Sequence, residues 1–179
     1  MILRMRAAAF ARCGEVLVAP LTLELNDGAR LARTFATARE AEIAALMACG
    51  IVHASTGSVF IGEFDPRIQP TQCKRLATYA PHEAVTSEFS SFETFIEYRA
   101  ALWGVEPALA LTRARAILER LDGLHEAFAY PLAGALIGSP KLLVLDRPQA
   151  AYVDAILSAA GSCAVFSTHL VAREAAAFA

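Results

Sequence analysis

Short apolar runs separated by turn residues make up the first third of the chain, and this pattern predicts β-strands. Turn signals stand at Arg12–Gly14 and at Asn26–Gly28, and the Asp-Gly step in the second is a strong signal for a hairpin. Farther along, an alanine-rich run that stops at Gly50 predicts a helix. The predicted helix is Arg39–Cys49, and the predicted strands are Ile2–Ala8, Val16–Leu25, Ala29–Phe35, Gly57–Gly62 and Leu76–Ala80.

The middle of the chain, residues 87–123, has a helical pattern. Ser90 and Glu93 have the spacing of a capping box, which marks the start of a helix. Pro107 stands at a favoured early position of a second helix that runs through Leu121. Apolar positions of this part repeat with roughly helical spacing at Phe89, Phe92, Ile96 and Trp103. The pattern predicts a helical insertion within an otherwise α/β chain.

The last third of the chain alternates strand and helix patterns, as a βαβ unit does. The predicted elements are Lys141–Leu145, Gln149–Ala159, Cys163–Ser167 and Leu170–Ala177. Asp146 and His169 follow the two strands, so we expect them at the carboxyl ends of neighbouring strands. Open α/β sheets bind ligands at that edge.

The composition favours a single soluble α/β domain. Hydrophobic residues make up 56% of the 179 residues and the mean hydropathy is +0.43, but alanine accounts for most of the excess. Alanine favours helix and adds little apolar surface. The longest uncharged stretch, Ile43–Gly62, contains polar residues and changes from a helical to a strand pattern, so we do not expect it to span a membrane.

Charge and cysteine content exclude several function classes. The net charge is −2 and the arginines are scattered, so the chain lacks the basic surface of a nucleic-acid-binding protein. The amino-terminal segment has no long apolar region and does not resemble a secretory signal. No CxxC pair occurs, so we expect no metal site and buried, reduced thiols in a cytosolic protein; the cysteines are Cys13, Cys49, Cys73 and Cys163.

Five segments, in chain order and with consistent spacing, share their pattern with one protein family. They are Leu25–Phe35 (LNDGARLARTF), Thr56–Pro66 (TGSVFIGEFDP), Leu76–Val105, Leu132–Pro148 (LAGALIGSPKLLVLDRP) and Ser167–Leu170 (STHL). Together they resemble the ATP-binding domain of ABC transporters over nearly the whole chain. The resemblance implies that residues 1–179 form a single domain of the α/β class. Its expected parts are a P-loop-NTPase-like cassette core, N-terminal antiparallel strands and a helical subdomain at roughly 83–135.

The phosphate-binding loop of the family is the first point at which this chain departs from the pattern. A P-loop needs glycines whose N–H groups surround phosphates, a lysine for the β/γ oxygens and a Ser/Thr for Mg²⁺. The aligned segment, residues 35–43, has no glycine. Ala41 stands at the lysine position and Glu42 at the Ser/Thr position. Because Glu40 and Glu42 are anionic and lie at a helix N-terminus, we expect the helix to be self-capped.

The remaining catalytic motifs are also altered. The segment between Leu124 and Leu132 lacks the LSGGQ-type signature, whose helix start would contact a partner's γ-phosphate. Arg147 stands where the family has the glutamate that polarises the attacking water, and His82 stands at the glutamine of the Q-loop. The chain also ends soon after His169, where the family adds further strands, so we expect either a naturally short protein or a missing C-terminal part.

Three residues that the family uses at its nucleotide site are retained. The resemblance implies residual nucleotide binding by Phe10, at the position of the adenine-stacking aromatic, together with Asp146 and His169. Each has an alternative: Asp146 as a hydrogen-bonding group at its strand end, His169 as a packed turn residue, and Phe10 as a core residue. A hydrolase triad of Ser167, His169 and Asp146 is not expected, because the chain has no nucleophile elbow.

An aromatic stripe follows the Q-loop position and has two interpretations. One is core packing of the helical subdomain. The other is a docking groove, because the family receives the membrane subunit's coupling helix in this region and exposed aromatics suit such an interface. The candidate docking residues are His82, Phe89, Phe92, Phe95, Tyr98 and Trp103.

The losses together imply a pseudo-ATPase. We expect a non-catalytic subunit of the nucleotide-binding-domain type that docks on or regulates an ABC transporter or a related membrane complex, with no cofactor. The alternative is a divergent ABC ATPase subunit that still binds ATP and Mg²⁺ weakly and contributes to transport. Expected partners are a membrane permease subunit, another ABC ATPase subunit or a second copy. The expected location is cytoplasmic, peripheral on the inner face of the membrane.

Overall fold

A computed structural model describes residues 1–82 and 89–179 of the chain. The elements in chain order are β1 (Leu3–Arg12), β2 (Glu15–Leu25), β3 (Arg30–Thr34), α1 (Ala38–Ala48), β4 (Thr56–Ile61), α2 (Pro70–Leu76), β5 (Ala77–Ala80), α3 (Phe92–Trp103), α4 (Pro107–Arg120), α5 (Glu126–Leu136), β6 (Leu142–Asp146), a 3₁₀ turn (Ala150–Tyr152), α6 (Val153–Ala160), β7 (Ala164–His169) and α7 (Ala172–Phe178). The predicted start of the helical subdomain, at residue 83, lies outside the described residues.

An antiparallel sheet in the order β2-β1-β4 comes from the first part of the chain. Strands β1 and β2 are joined by a tight turn in which Cys13 and Gly14 have φ of +52° and +82°. Positive φ at both central residues is the signature of the type I′ hairpin turn, whose twist matches the strands. The N-terminal antiparallel strands that the resemblance implied are therefore present, and β1 runs four residues farther than its apolar pattern predicted, to Arg12.

The hairpin predicted at the Asp27-Gly28 step is wrong. The turn itself forms, with the Ala29 N–H donating to the Asn26 carbonyl at 3.1 Å. However, β3 does not pair with β2; it pairs in parallel with β7, from Arg30 opposite Val165 to Thr34 opposite His169. The turn carries the chain from one sheet into the other, so pairing with a strand more than a hundred residues away overrides the local signal.

The second sheet is parallel and has the strand order β3-β7-β6-β5. Every residue of β6 and of β7 is buried, as expected for strands covered on both faces. The registers place Asp146 opposite Thr168, one residue before His169. The predicted placement of Asp146 and His169 at the carboxyl ends of neighbouring strands is therefore confirmed. We call this side of the sheet the carboxyl edge and the opposite side the amino edge.

Helix α1 packs against both sheets through a face of small side chains. Its buried residues are Ala41, Ala44, Ala45, Met47 and Ala48. Four of the five are alanines, which let the helix axis approach the strands closely. The helix ends before Gly50, whose φ is +73° and whose Cα lies so close to Pro66 that an added Cβ would sit 2.8 Å from the proline side chain. A larger residue there would separate the end of α1 from the core.

Helices α3, α4 and α5 form a helical layer around the buried side chains of Phe95, Ile96 and Ile137. The cap of α3 is Ser91, not the predicted Ser90, because the Ser91 side chain accepts from the Thr94 N–H at 3.2 Å. Pro131 lies inside α5, a helix that the local pattern did not predict. The helical insertion is present, one residue beyond its predicted end at 135.

Two other features differ from what the sequence predicted. Helix α2 precedes β5 and was not predicted, because its seven residues are mostly exposed and polar. Cys49, Cys73 and Cys163 are buried as expected, but Cys13 is exposed because it lies at the tip of the β1–β2 turn.

Within residues 1–82 and 89–179, every helix is too short or too polar to cross a membrane.

Candidate functional site

The candidate site lies at the carboxyl edge of the parallel sheet and is centred on Asp146. Its carboxylate is 2% exposed. Oδ1 accepts a hydrogen bond from the Thr168 hydroxyl at 3.2 Å, and Oδ2 accepts one from the Tyr79 hydroxyl at 3.4 Å. Tyr79 comes from β5 and Thr168 from β7, the neighbours of β6 on either side. The sheet itself therefore assembles this cluster.

Arg147 closes the cluster from the residue after Asp146. Its Nε donates to Asp146 Oδ1 at 2.9 Å and its Nη2 donates to Oδ2 at 2.9 Å, so the pair is bidentate. These hydrogen bonds raise the pKa of Arg147. A Mg²⁺ ion bound by Asp146 would have to displace the guanidinium, so the donor set does not fit a metal-bound nucleotide.

The backbone at Arg147 is held in an unusual conformation to make this pair. Its φ is +47°, in the left-handed region that non-glycine residues rarely adopt. The Arg147 N–H donates to the Thr168 carbonyl at 3.0 Å. Nδ1 of His82 donates to the Arg147 carbonyl at 2.9 Å. The neighbouring strand end and the segment after β5 therefore hold the turn from both sides.

Tyr79 lies between the cluster and the start of α1. Burial, followed by the nearby negative charges of Asp146 and Glu42, raises the pKa of its hydroxyl. The phenol is therefore a neutral hydrogen-bond donor at physiological pH.

His169 ends β7 and is fully buried. Its Nε2 lies 2.9 Å from the Ser167 hydroxyl, and its ring packs against Phe178 of α7 with a centroid separation of 5.2 Å. Burial lowers the pKa of the imidazole. Nδ1 has no hydrogen-bond partner among the described residues. The ring is thus enclosed beneath α7.

The start of α1 uses its own side chains as hydrogen-bond acceptors. The N-cap hydroxyl of Thr37 accepts from the Glu40 N–H at 3.1 Å, and Glu40 Oε2 accepts from the Ala36 N–H at 3.0 Å. This reciprocal arrangement resembles a capping box. The preceding residue, Phe35, donates its N–H to the His169 carbonyl at 2.8 Å. Three amides at or just before this end of the helix therefore donate to protein oxygens.

The free space beside Asp146 is small. The cavity that Asp146, Arg147 and His82 help to line has a volume of about 50 Å³. Small-molecule sites usually measure roughly 300–1,000 Å³. This cavity accommodates a water molecule but not a nucleotide. In the described part of the chain, no group of three or more His, Cys, Asp or Glu side chains is placed to hold a metal ion.

Phe10, the third candidate for nucleotide binding, lies in the antiparallel sheet. It pairs with Val18 of β2 and is half-buried against the core beneath that sheet. It follows an irregular stretch of β1 in which Ala7 has a φ of +45°. Gly57 is required opposite, because a Cβ there would lie 2.2 Å from the Ala7 carbonyl oxygen. Phe10 therefore lies in a different sheet from Asp146 and His169.

The candidate docking residues divide into inner and outer sets. Phe95 is 8% exposed and packs on Gly134, while the Trp103 ring packs on Gly138. Tyr98 is 51% exposed. His82 lies apart from them, at the Asp146 cluster.

A groove of about 370 Å³ runs between the start of α3 and the start of α5. Its aromatic walls are Phe89, Phe92, Phe95 and Tyr130, and the ring of Phe92 packs on that of Tyr130 in a tilted arrangement with centroids 4.5 Å apart. Some residues of the aromatic stripe therefore fit core packing of the helical subdomain, and others fit a docking groove. Tyr130 was not predicted, because α5 was not recognised as a helix.

Comparison with known proteins gives matches among solved structures. No protein-family model matches the chain, and no curated protein matches its sequence. An ATP-binding subunit of an ABC transporter is 16% identical with a TM-score of 0.78, over 97% of this chain and 81% of that chain. The cbiO1 protein from Clostridium perfringens, part of the ABC transporter complex cbiONQ, is 15% identical with a TM-score of 0.72, over 94% and 78%. The ATP-binding cassette MJ0796, in a dimeric post-hydrolysis state bound to ADP and Pi, is 12% identical with a TM-score of 0.68, over 99% and 91%.

The chain has the fold of an ABC ATP-binding cassette. The resemblance stated from the sequence and the predicted fold class are thereby confirmed at the level of the fold. In this cassette, the structure brings Asp146, Arg147 and His82 together and places His169 one strand away, whereas Phe10 lies in the other sheet. Sequence reasoning missed Tyr79. The available signal was its place near the carboxyl end of a predicted strand, the same argument that selected Asp146.

Proposed function

We propose that the protein is a non-catalytic, pseudo-ATPase cassette subunit that docks on or regulates an ABC transporter or a related membrane complex. The observation that supports this most is the bidentate pair between Arg147 and Asp146. Arg147 stands where the resemblance implies the glutamate that polarises the attacking water. A guanidinium is always protonated and cannot act as a base. It also occupies both oxygens of the carboxylate that would serve Mg²⁺.

The start of α1 supports the same proposal from an independent position. A helix N-terminus binds phosphate through free N–H groups and a favourable dipole. Here Glu40 accepts from the Ala36 N–H and Thr37 accepts from the Glu40 N–H. The carboxylates of Glu40 and Glu42 would also repel phosphate. With Ala41 at the lysine position, the lysine that would attract the phosphate is missing. The cation that this loop does carry, Arg39, is exposed and adjoins the carboxylate of Glu40.

A second candidate function is a divergent ATPase cassette that binds ATP and Mg²⁺ weakly and contributes to transport. The observation that favours it is the fold shared with MJ0796, whose structure holds ADP and Pi. The binding residues would be Phe10, Asp146 and His169. This function requires Arg147 to leave Asp146 and the ring of His169 to become exposed.

The kind of partner follows by analogy with the similar structures. The cbiO1 protein is part of the complex cbiONQ, and MJ0796 forms a dimer. For this chain we infer a membrane permease subunit, another ABC ATPase subunit or a second copy. Its place is cytoplasmic, on the inner face of the membrane. The groove beside Phe89 and Phe92, with the exposed ring of Tyr98 next to it, is the surface we assign to docking.

Phosphate release from Mg-ATP separates the two candidates. We expect the purified protein to release no more phosphate than its Asp146→Asn variant, which removes the carboxylate while keeping its shape. If the wild type releases phosphate and the Asp146→Asn variant does not, the result would support the divergent ATPase instead.

Co-sedimentation with membranes tests the docking surface. We expect the chain to sediment with membranes of its own cells whether or not ATP is present, and Tyr98→Ala to weaken this association. Leu109→Ala is the matched control, because Leu109 is 46% exposed on α4 whereas Tyr98 is 51% exposed on α3. Equal sedimentation of the two variants and the wild type would contradict the assignment of this surface.

A further inference from the structure

A cleft of about 790 Å³ lies at the amino edge of the parallel sheet, opposite the Asp146 cluster. The loops that precede three parallel strands form its floor: the turn at Gly28 before β3, the segment from Ser139 to Lys141 before β6, and the segment from Gly161 to Cys163 before β7. Helix α4 forms one wall. The volume is within the range of small-molecule sites, roughly 300–1,000 Å³.

The charges that line this cleft are mostly positive. Among the described residues of its lining, Arg113, Arg120 and Lys141 are cationic and Asp27 alone is anionic. The Asp27 carboxylate accepts a hydrogen bond from the amino group of Met1 at 2.9 Å, so its charge is already paired. Because the whole chain has a net charge of −2, a local excess of cations is not a consequence of overall composition.

The two arginines are presented by one face of α4. Positions 113, 116, 117 and 120 recur with helical spacing, and all four line the cleft. Arg113 is half-buried, and its Nη1 donates to the Ile137 carbonyl at 3.0 Å. This bond holds the guanidinium at the wall of the cleft and leaves its other N–H groups for a ligand. Arg120 and Lys141 are exposed and can adjust to the ligand.

The rim of the cleft adds small polar groups and open space. The hydroxyls of Ser139 and Ser162 belong to its lining. At Gly161 an added Cβ would meet no atom within 4 Å, so the loop before β7 borders open space. At Gly28 an added Cβ would lie 3.5 Å from the Ser162 carbonyl oxygen, so two of the loops are in close contact. The lining therefore combines cations, hydroxyl groups and room for a ligand.

We propose that this cleft binds a small multivalent oxyanion, such as the diphosphate group of a small molecule. Guanidinium and ammonium groups bind phosphate oxygens through short, charge-assisted hydrogen bonds, and a planar guanidinium can supply two at once. Three cations around one cavity suit a ligand with more than one negative charge. The site does not depend on the proposed function, because it lies at the other edge of the sheet and shares no residue with the Asp146 cluster.

Titration calorimetry with inorganic pyrophosphate, without Mg²⁺, tests this site. The cleft variant carries Arg120→Gln and Lys141→Gln together, and the matched control carries Lys74→Gln and Arg75→Gln on the exposed face of α2. Both variants lose one arginine and one lysine. In the described structure none of these four side chains makes a hydrogen bond or an ion pair, so both proteins should fold.

We expect saturable binding of pyrophosphate to the wild type and to the control. In the cleft variant the affinity should fall by about tenfold or more for each charge-assisted contact that is lost. Absence of saturable binding to the wild type would overturn the proposal. Unchanged affinity in the cleft variant, or an equal loss in the control, would also overturn it, because binding would then be elsewhere or governed by net charge.

Discussion

Replacing Arg147 with glutamine tests the ion pair that occupies the carboxyl edge of the parallel sheet. The Asp146 carboxylate is 2% exposed and receives two hydrogen bonds of 2.9 Å from the guanidinium. Removing one partner of a buried ion pair costs about 3–5 kcal/mol, because an uncompensated charge remains. Thr168 and Tyr79 still donate to Asp146, and the Arg147 side chain is 19% exposed. We therefore expect a loss of about 2–4 kcal/mol in the free energy of unfolding.

Urea and thermal unfolding at neutral pH measure this loss. In a domain of this size each kcal/mol moves the melting temperature by roughly 2–4 °C, so the expected decrease is about 4–16 °C. The double variant Asp146→Asn/Arg147→Gln removes both charges and should be more stable than Arg147→Gln alone. Arg147→Gly also loses the pair, but glycine adopts a positive φ without strain. We therefore expect Arg147→Gly to be more stable than Arg147→Gln by about 1 kcal/mol in the free energy of unfolding.

Two results would contradict a stabilising pair between Asp146 and Arg147. One is an Arg147→Gln variant whose stability lies within about 0.5 kcal/mol of the wild type, as for an ordinary surface substitution. The other is a double variant whose loss equals the sum of the two single losses. Additive losses would mean that Asp146 and Arg147 are not energetically coupled, whatever their separation.

Three further predictions concern stability. Thr37→Ala removes the α1 cap that receives the Glu40 N–H and should cost about 1 kcal/mol in urea unfolding; an unchanged midpoint would contradict the capping role. Gly138→Ala places a Cβ 2.1 Å from the Trp103 ring and should cost about 1–3 kcal/mol and shift the fluorescence of this single tryptophan; unchanged emission and stability would contradict the contact. Burial lowers the pKa of His169, so the unfolded chain binds a proton more readily than the folded one. Stability should therefore fall as the pH decreases below the ordinary histidine value of 6.5, and His169→Asn should flatten this dependence in thermal unfolding; an identical slope in the variant would contradict it.

The placement of the carboxyl edge was predictable because it depends on local patterns. The apolar run before Asp146 and the one before His169 are short and fully buried strands. Parallel strands joined by a helix place their carboxyl ends side by side. The carboxylates of Glu40 and Glu42 at a helix start likewise predicted that the helix caps itself. In the structure Glu40 contributes to the cap together with Thr37, which was not predicted.

The other features depend on contacts between distant parts of the chain. The pairing of β3 with β7 overrides a hairpin signal that is strong by local criteria. The hydrogen bond from Tyr79 to Asp146 joins residues 67 positions apart. Arg147 makes its bidentate pair from a backbone with a positive φ, which no pattern in the neighbouring residues predicts. The basic cleft joins three loops and one helix, so its cations do not form a cluster in the sequence.

Thermal unfolding with and without millimolar Mg-ATP measures whether the carboxyl edge of this cassette accepts Mg-ATP. A ligand at 100 times its dissociation constant adds about 2.7 kcal/mol, which corresponds to a rise of roughly 5–11 °C in a domain of this size. The measurement uses the Arg120→Gln/Lys141→Gln variant beside the wild type, so that polyphosphate binding in the basic cleft is separated from binding at Asp146. We expect no shift of the melting temperature in the variant. A Mg-ATP-specific rise of several degrees that persists in the variant and disappears in Asp146→Asn would contradict it.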